Sequence, residues 1–84
     1  MHTIYSLTYN NMTYVGQTND MVKRLSVHKA RHKTHNTKLY QAMRKHGFDK
    51  FRVEPLAICH TKKDADLLEQ LHILALGNLN TNLR

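Results

Sequence analysis

Two short runs rich in Thr, Tyr, Ile and Val, Thr3 to Thr8 and Met12 to Gly16, stand on either side of Asn10-Asn11. β-Branched and aromatic side chains suit a pleated surface, and asparagine tolerates the positive φ of a tight turn, so this pattern predicts a β-hairpin. The whole chain has 84 residues, enough to bury one modest core around a single sheet but not two cores side by side. The remaining sequence must therefore cover that hairpin.

The period then changes from two to about four. Thr18-Asn19-Asp20 offers N-cap oxygens and Met21, Val22 and Leu25 begin an apolar face, predicting a helix from about Asp20 to Lys33 whose other face is basic. Thr34-His35-Asn36 supplies turn and cap side chains, and Leu39, Tyr40, Met43 and His46 recur at helical spacing until Gly47, giving a second, shorter helix. Phe51, Val53 and Leu56-Ala57-Ile58 form a third strand in which Pro55 argues for an edge position or a bulge. Thr61-Lys62-Lys63-Asp64 resembles a capping box with Asp in place of Glu, and Leu67, Leu68, Leu71, Leu74 and Ala75 are expected to line the packed face of a last helix ending near Gly77-Asn78. The tail from Leu79 to Arg84 would add an edge strand or lie across the sheet. The order ββααβα implies an α+β fold, a small three-stranded sheet flanked by helices.

Thirteen Lys and Arg against six Asp and Glu leave a formal charge of +7, spread from Lys23 to Lys63. A polyanionic partner is implied, nucleic acid being the commonest because neutralised phosphates release counterions, with an anionic membrane surface as the electrostatic alternative. The apolar stretch Leu67 to Leu76 is interrupted by Glu69, Gln70 and His72, so it is not a membrane span, and Met1 to Tyr5 does not read as a secretory signal. A cytoplasmic location is expected. The single Cys59 cannot form an internal disulfide and reads as a small apolar residue near a strand end.

Polar groups embedded among apolar ones are the candidates for chemistry. Glu69, between Leu67-Leu68 and Leu71, is either a flank carboxylate in water or one that must be paired, protonated or holding a metal. Tyr5 and Tyr14 fall in the two hairpin strands with Tyr9 near the turn; they are cross-strand packing, or phenols whose ionised form the basic surroundings would favour. Arg24, His28, Arg31 and His35 recur at steps of four, three and four and would share one helix face, either a phosphate clamp or a plain solvated surface. Histidines 28, 32 and 35 also invite a zinc reading, which no cysteine pair or nearby carboxylate completes.

Thr3-Ile4-Tyr5, Tyr14-Val15-Gly16, Lys23-Arg24, His28, Lys45-His46-Gly47, Glu69 and an Asn-rich tail, taken in this order, resemble the GIY-YIG nuclease domain, most closely the catalytic domains of phage-type homing endonucleases. Thr3 stands where the family has its first glycine and Val15 where it has isoleucine; neither change removes a reactive side chain. The resemblance implies a nuclease domain that hydrolyses phosphodiester bonds of DNA; it would fill residues 1–84 as a single domain, and the separate DNA-recognition domain that homing enzymes of this type usually carry is not expected within these residues. By the same resemblance Tyr5 is the general base on the attacking water, with Tyr14 supporting it or sharing the task. Arg24 stabilises charge on the scissile phosphate, and His28 orients or relays a proton. Glu69 holds one divalent ion, Mg²⁺ with Mn²⁺ able to substitute. An asparagine of the tail supports the site, Asn80 being chosen over Asn78 and Asn82. Lys23, Arg31, His35, Lys38 and Lys45 are the expected DNA-backbone contacts. No organic cofactor is implied, cutting both strands suggests a transient dimer on DNA, and a phage origin would place the protein in the host cytoplasm. Two rival readings share the charge: an inactive DNA-binding module of the same fold, and a basic protein that compacts DNA.

Overall fold

A computed structural model describes residues 1–77 and residue 79. The hairpin forms as its pattern dictates, from β1 (His2–Tyr9) and β2 (Met12–Thr18). Tyr9 pairs with Met12 around the turn, and Asn10 takes a left-handed φ of 55°, the conformation that asparagine bears at low cost. β3 (Arg52–Cys59) pairs antiparallel with the other side of β1, so the sheet order is β2-β1-β3. Both readings of Pro55 hold. It lies on an edge strand, and the register slips there: Ile4 faces Ala57 and Tyr5 faces Pro55, which leaves Leu56 as the extra residue of a bulge.

The helices are α1 (Met21–Arg31), α2 (Lys38–His46) and α3 (Lys62–Leu76), with a short 3-10 turn at Phe48–Lys50. Each begins on a side-chain cap. Asp20 accepts from the Lys23 N–H, Thr37 from that of Tyr40, and Thr61 from that of Asp64, each satisfying an N–H that helix geometry leaves unpaired. The cap of α2 is thus Thr37, one residue past the expected Thr34-His35-Asn36. α1 is also shorter than expected, because the chain turns after Arg31 and Thr34 and His35 both donate their N–H to the Arg31 carbonyl. Arg44 braces this connection from α2, donating to the carbonyls of His32 and His35 and to Asn36 Oδ1.

Alternation along β1 and β2 sends neighbouring residues to opposite sheet faces, and two half-cores result. Tyr5 and Leu7 pack with Leu39, Tyr40, Ala42, Met43 and Phe51 under α1 and α2. Ile4 and Val15 pack with Cys59, Ala65 and Ile73 under α3. Cys59 is the small buried residue at a strand end that its position suggested. Leu79 belongs to the first half-core and donates its N–H to the Thr13 carbonyl, which ties the tail to β2 at that point.

α3 packs mainly on a different face from the one expected, with Leu68 alone of the expected set turned inward. Leu67, Leu71 and Leu74 are 63%, 53% and 75% exposed, while Ala65 is fully buried and Ile73 nearly so. This helix is apolar around most of its circumference, so periodicity offers more than one face. The stripe Ala65, Leu68, Glu69, His72, Ile73 is the one turned inward. A residue as small as Ala65 lets the helix axis approach the sheet closely.

Candidate active site

The reactive candidates of the hairpin sit on one face of the sheet. Tyr5 and Gly16 are direct cross-strand partners, and the Tyr5 ring lies over Gly16. A methyl group at position 16 would stand 2.6 Å from Tyr5 Oη and 3.0 Å from the Tyr14 ring. The absence of a side chain there is what lets the two phenols lie together, with ring centroids 6.3 Å apart.

From α1, His28 enters the same space, only 3% exposed. Its Nε2 is 2.9 Å from Tyr5 Oη and its Nδ1 is 2.8 Å from Tyr40 Oη. Both ring nitrogens are therefore spent on phenols. A neutral imidazole has one N–H and one bare nitrogen, so one phenol donates to the ring and the other accepts from it. Burial, reinforced by the positive charges of Arg24 and Arg31, pulls the His28 pKa from 6.5 down to about 4, which keeps the ring neutral at ordinary pH.

The expectation that basic surroundings would ionise the tyrosines is overturned. Burial pushes the Tyr5 hydroxyl far above the usual phenol range; neighbouring Tyr14 adds to this, and the Arg24 charge opposes it without prevailing. Tyr14 is raised as well, first by burial and then by the Glu69 carboxylate, against the pull of Arg24 and a hydrogen bond with Tyr5. Desolvation wins because Tyr5 has no exposed surface, so a phenolate there would lose its hydration almost entirely. Those same influences place Tyr5, Tyr14, Arg24 and Glu69 within electrostatic reach of one another.

Glu69 comes from the other side of the sheet. α3 packs along β2, an edge strand, and presents the half-buried Glu69 to Gln17, the residue after Gly16. The Gln17 amide nitrogen donates 2.8 Å to Glu69 Oε1 and 2.7 Å to Asp66 Oδ1. Asp66 is also paired with Lys62 at 2.6 Å, and that bond, then the one from Gln17, holds its carboxyl below the usual range. Glu69, with Asp66 one helical turn before it, gives a set of hard oxygen donors that suits Mg²⁺, an ion usually held by one or two carboxylates plus waters and phosphate oxygens.

The basic residues divide. Lys23, Arg24 and Arg31 line one cleft of about 270 Å³ with Thr18, Asn19, Asp20 and Val27. Lys38 and Lys45 line a separate hollow of about 300 Å³ with Met12, Gln41, Ala42, His46 and Leu79. The single helix face expected for Arg24, His28, Arg31 and His35 does not exist: α1 stops at Arg31, His28 points inward, and His35 stands in the following turn with its ring 6.2 Å from that of Tyr40. Histidines 28 and 35 both stand against the Tyr40 ring, His35 being bonded also to Thr34, while His32 lies apart beside Phe48. Among the described residues no three His, Cys, Asp or Glu side chains gather into one set of the kind a tetrahedral zinc site is built from. Asn80, with Asn78 and Asn82, lies outside the described residues.

Three neighbours of the site were not singled out from the sequence. Tyr40 read as a core residue of α2, although a tyrosine on an apolar helix face needs a partner for its hydroxyl and so signals a buried polar contact. Gln17 and Asp66 carry no such signal, because their meeting spans 49 residues of sequence. The GIY-YIG catalytic domain model matches residues 1–82, and the chain belongs to this family, whose members are nucleases acting on DNA. No curated protein and no solved structure matches the chain.

Proposed function

We propose that this chain is a metal-dependent DNA endonuclease that hydrolyses phosphodiester bonds. The observation that carries the reading is the buried Tyr5–His28 hydrogen bond, 2.9 Å long, within electrostatic reach of Arg24 and, through the tyrosines, of Glu69. A neutral imidazole joined to a phenol that resists ionisation is a device for relaying a proton without a standing phenolate.

In this reading the tyrosines share the base's task. Tyr14, the less buried of the two, meets the attacking water. As the water oxygen bonds to phosphorus, its proton passes to the Tyr14 oxygen, the Tyr14 proton to the Tyr5 oxygen, and the Tyr5 proton to His28 Nε2. Arg24, at the rim of the cationic cleft, stabilises charge on the scissile phosphate as the bond to the 3′ oxygen breaks. Glu69 would hold the divalent ion, Mg²⁺ with Mn²⁺ as substitute, which when bound would offset charge on the departing 3′ oxygen. Lys23 and Arg31 in that cleft, with Lys38, Lys45 and His35 beyond it, steer the DNA backbone. Asn80 supports the site from the tail, and a transient pairing on DNA would serve cleavage of both strands. The likeness of Tyr14-Val15-Gly16, Lys23-Arg24, His28 and Lys45-His46-Gly47 to phage-type homing endonucleases favours a catalytic domain of that kind, working in the cytoplasm.

Supercoiled plasmid with Mg²⁺ or Mn²⁺ tests this. Nicking or linearisation by the native chain, abolished by EDTA and in Glu69→Ala while DNA binding persists, is the expected result. A Glu69→Ala chain that still cuts with metal present removes the carboxylate assignment. Binding without scission by the native chain replaces the enzyme with an inactive DNA-binding module.

A further inference from the structure

On the proposed nuclease mechanism the proton's path ends at His28, and the imidazole must be readied to receive it. Relay from Tyr5 requires a bare Nε2, and therefore a proton on Nδ1. A neutral histidine side chain left to itself prefers the opposite tautomer, so a hydrogen-bond acceptor at Nδ1 is needed to hold the reactive one.

The groups facing His28 are Tyr5 and Tyr14 from the sheet, Arg24 and Arg31 from its own helix, and Tyr40 from α2. Two of these are cations, which oppose a proton on the ring. The oxygen that meets Nδ1 is Tyr40 Oη, at 2.8 Å, on a residue 7% exposed and anchored in the apolar face of α2 between Leu39 and Met43.

We propose that Tyr40 is a positioning residue for the cleavage reaction, which acts through His28. Its hydroxyl oxygen accepts the Nδ1 proton, fixes the tautomer with Nε2 bare toward Tyr5, and stabilises the imidazolium when the Tyr5 proton crosses. The part is that of the group that orients the base in a hydrolase triad, here filled by a neutral phenol in place of a carboxylate. The ledger balances: the proton taken from water resides on His28 after the step, no proton leaves Tyr40, and the ring returns its proton to solvent after product release. In Tyr40→Phe, Nδ1 loses its acceptor. A bare Nδ1 facing an apolar ring is easier to bury than an unpaired N–H, so the tautomer flips and Nε2–H points at Tyr5, where it can no longer accept.

The test is ¹⁵N NMR of the histidine rings in the full chain at neutral pH, with the His28 signals assigned by their loss in His28→Gln. The native chain should show His28 protonated on Nδ1, and Tyr40→Phe should show it protonated on Nε2. Alongside, kcat for plasmid cleavage should fall by roughly 10- to 100-fold in Tyr40→Phe with KM unchanged. A native His28 protonated on Nε2, a Tyr40→Phe ring whose tautomer is unchanged, or a Tyr40→Phe chain with native kcat overturns the proposal. Because the tautomer is read without substrate, its failure is distinguishable from failure of the nuclease reading, which rests on cleavage by the native chain and its loss in Glu69→Ala.

Discussion

Gly16 owes its place to Tyr5. A Cβ there would fall 2.6 Å from the phenol oxygen and 2.7 Å from its ring carbon, and a wholly buried ring has nowhere to retreat. Gly16→Ala should cost about 1–3 kcal/mol in denaturant unfolding and reduce cleavage further than stability alone explains, since the ring that moves also bonds His28. His28 gives a second outcome at this scale. Its pKa in the folded chain is lowered, so the unfolded state binds the extra proton first as pH falls. The stability it contributes is complete above pH 6.5 and is lost as pH falls through about 4. Unfolding free energies from denaturant titrations between pH 7 and pH 4 should fall more steeply in the native chain than in His28→Gln, the difference reaching about 2 kcal/mol after allowance for solvent screening.

Among the elements, α3 does two jobs with two faces. Its inward stripe closes the second half-core and delivers Glu69 to the edge of β2. Its outward leucines contribute little to folding, because they stay largely in water. Leu71→Lys should therefore change unfolding free energy by no more than about 0.5 kcal/mol, whereas Ile73→Ala should cost about 2–5 kcal/mol by opening a cavity under the sheet. A large loss in Leu71→Lys in urea titrations would mean that α3 packs on its other face.

For the molecule as a whole, the +7 charge is arranged about a buried centre in which the ionisable groups are held neutral. Lys23, Arg24 and Arg31 lie in one cleft and Lys38 and Lys45 in another, and on the proposed reading DNA would touch both. If each neutralises one phosphate, the logarithm of the binding constant should fall against the logarithm of salt concentration with a slope between about −4 and −5. Filter binding or anisotropy across a salt series measures it; a slope between about −2 and −3 would restrict the contact to one cleft. Among the described residues no helix is long and apolar enough to cross a membrane.

Local pattern determined much of this protein. The Asn10-Asn11 turn, the element order, the capping residues Asp20 and Thr61, and the edge position and bulge at Pro55 were all legible, because each depends on neighbours a few positions away. The family was legible for a related reason: its markers hold their order along the chain. Tertiary structure alone decided which face of α3 turns inward, since a helix apolar on most sides has no unique amphipathic solution until it meets a sheet. It also decided that His28 leaves the basic surface for a pocket between Tyr5 and Tyr40, and that Gln17 joins Glu69 to Asp66. Above all it reversed the expected ionisation of the tyrosines. Charge can be counted along a sequence, but desolvation exists only where the folded chain has excluded water.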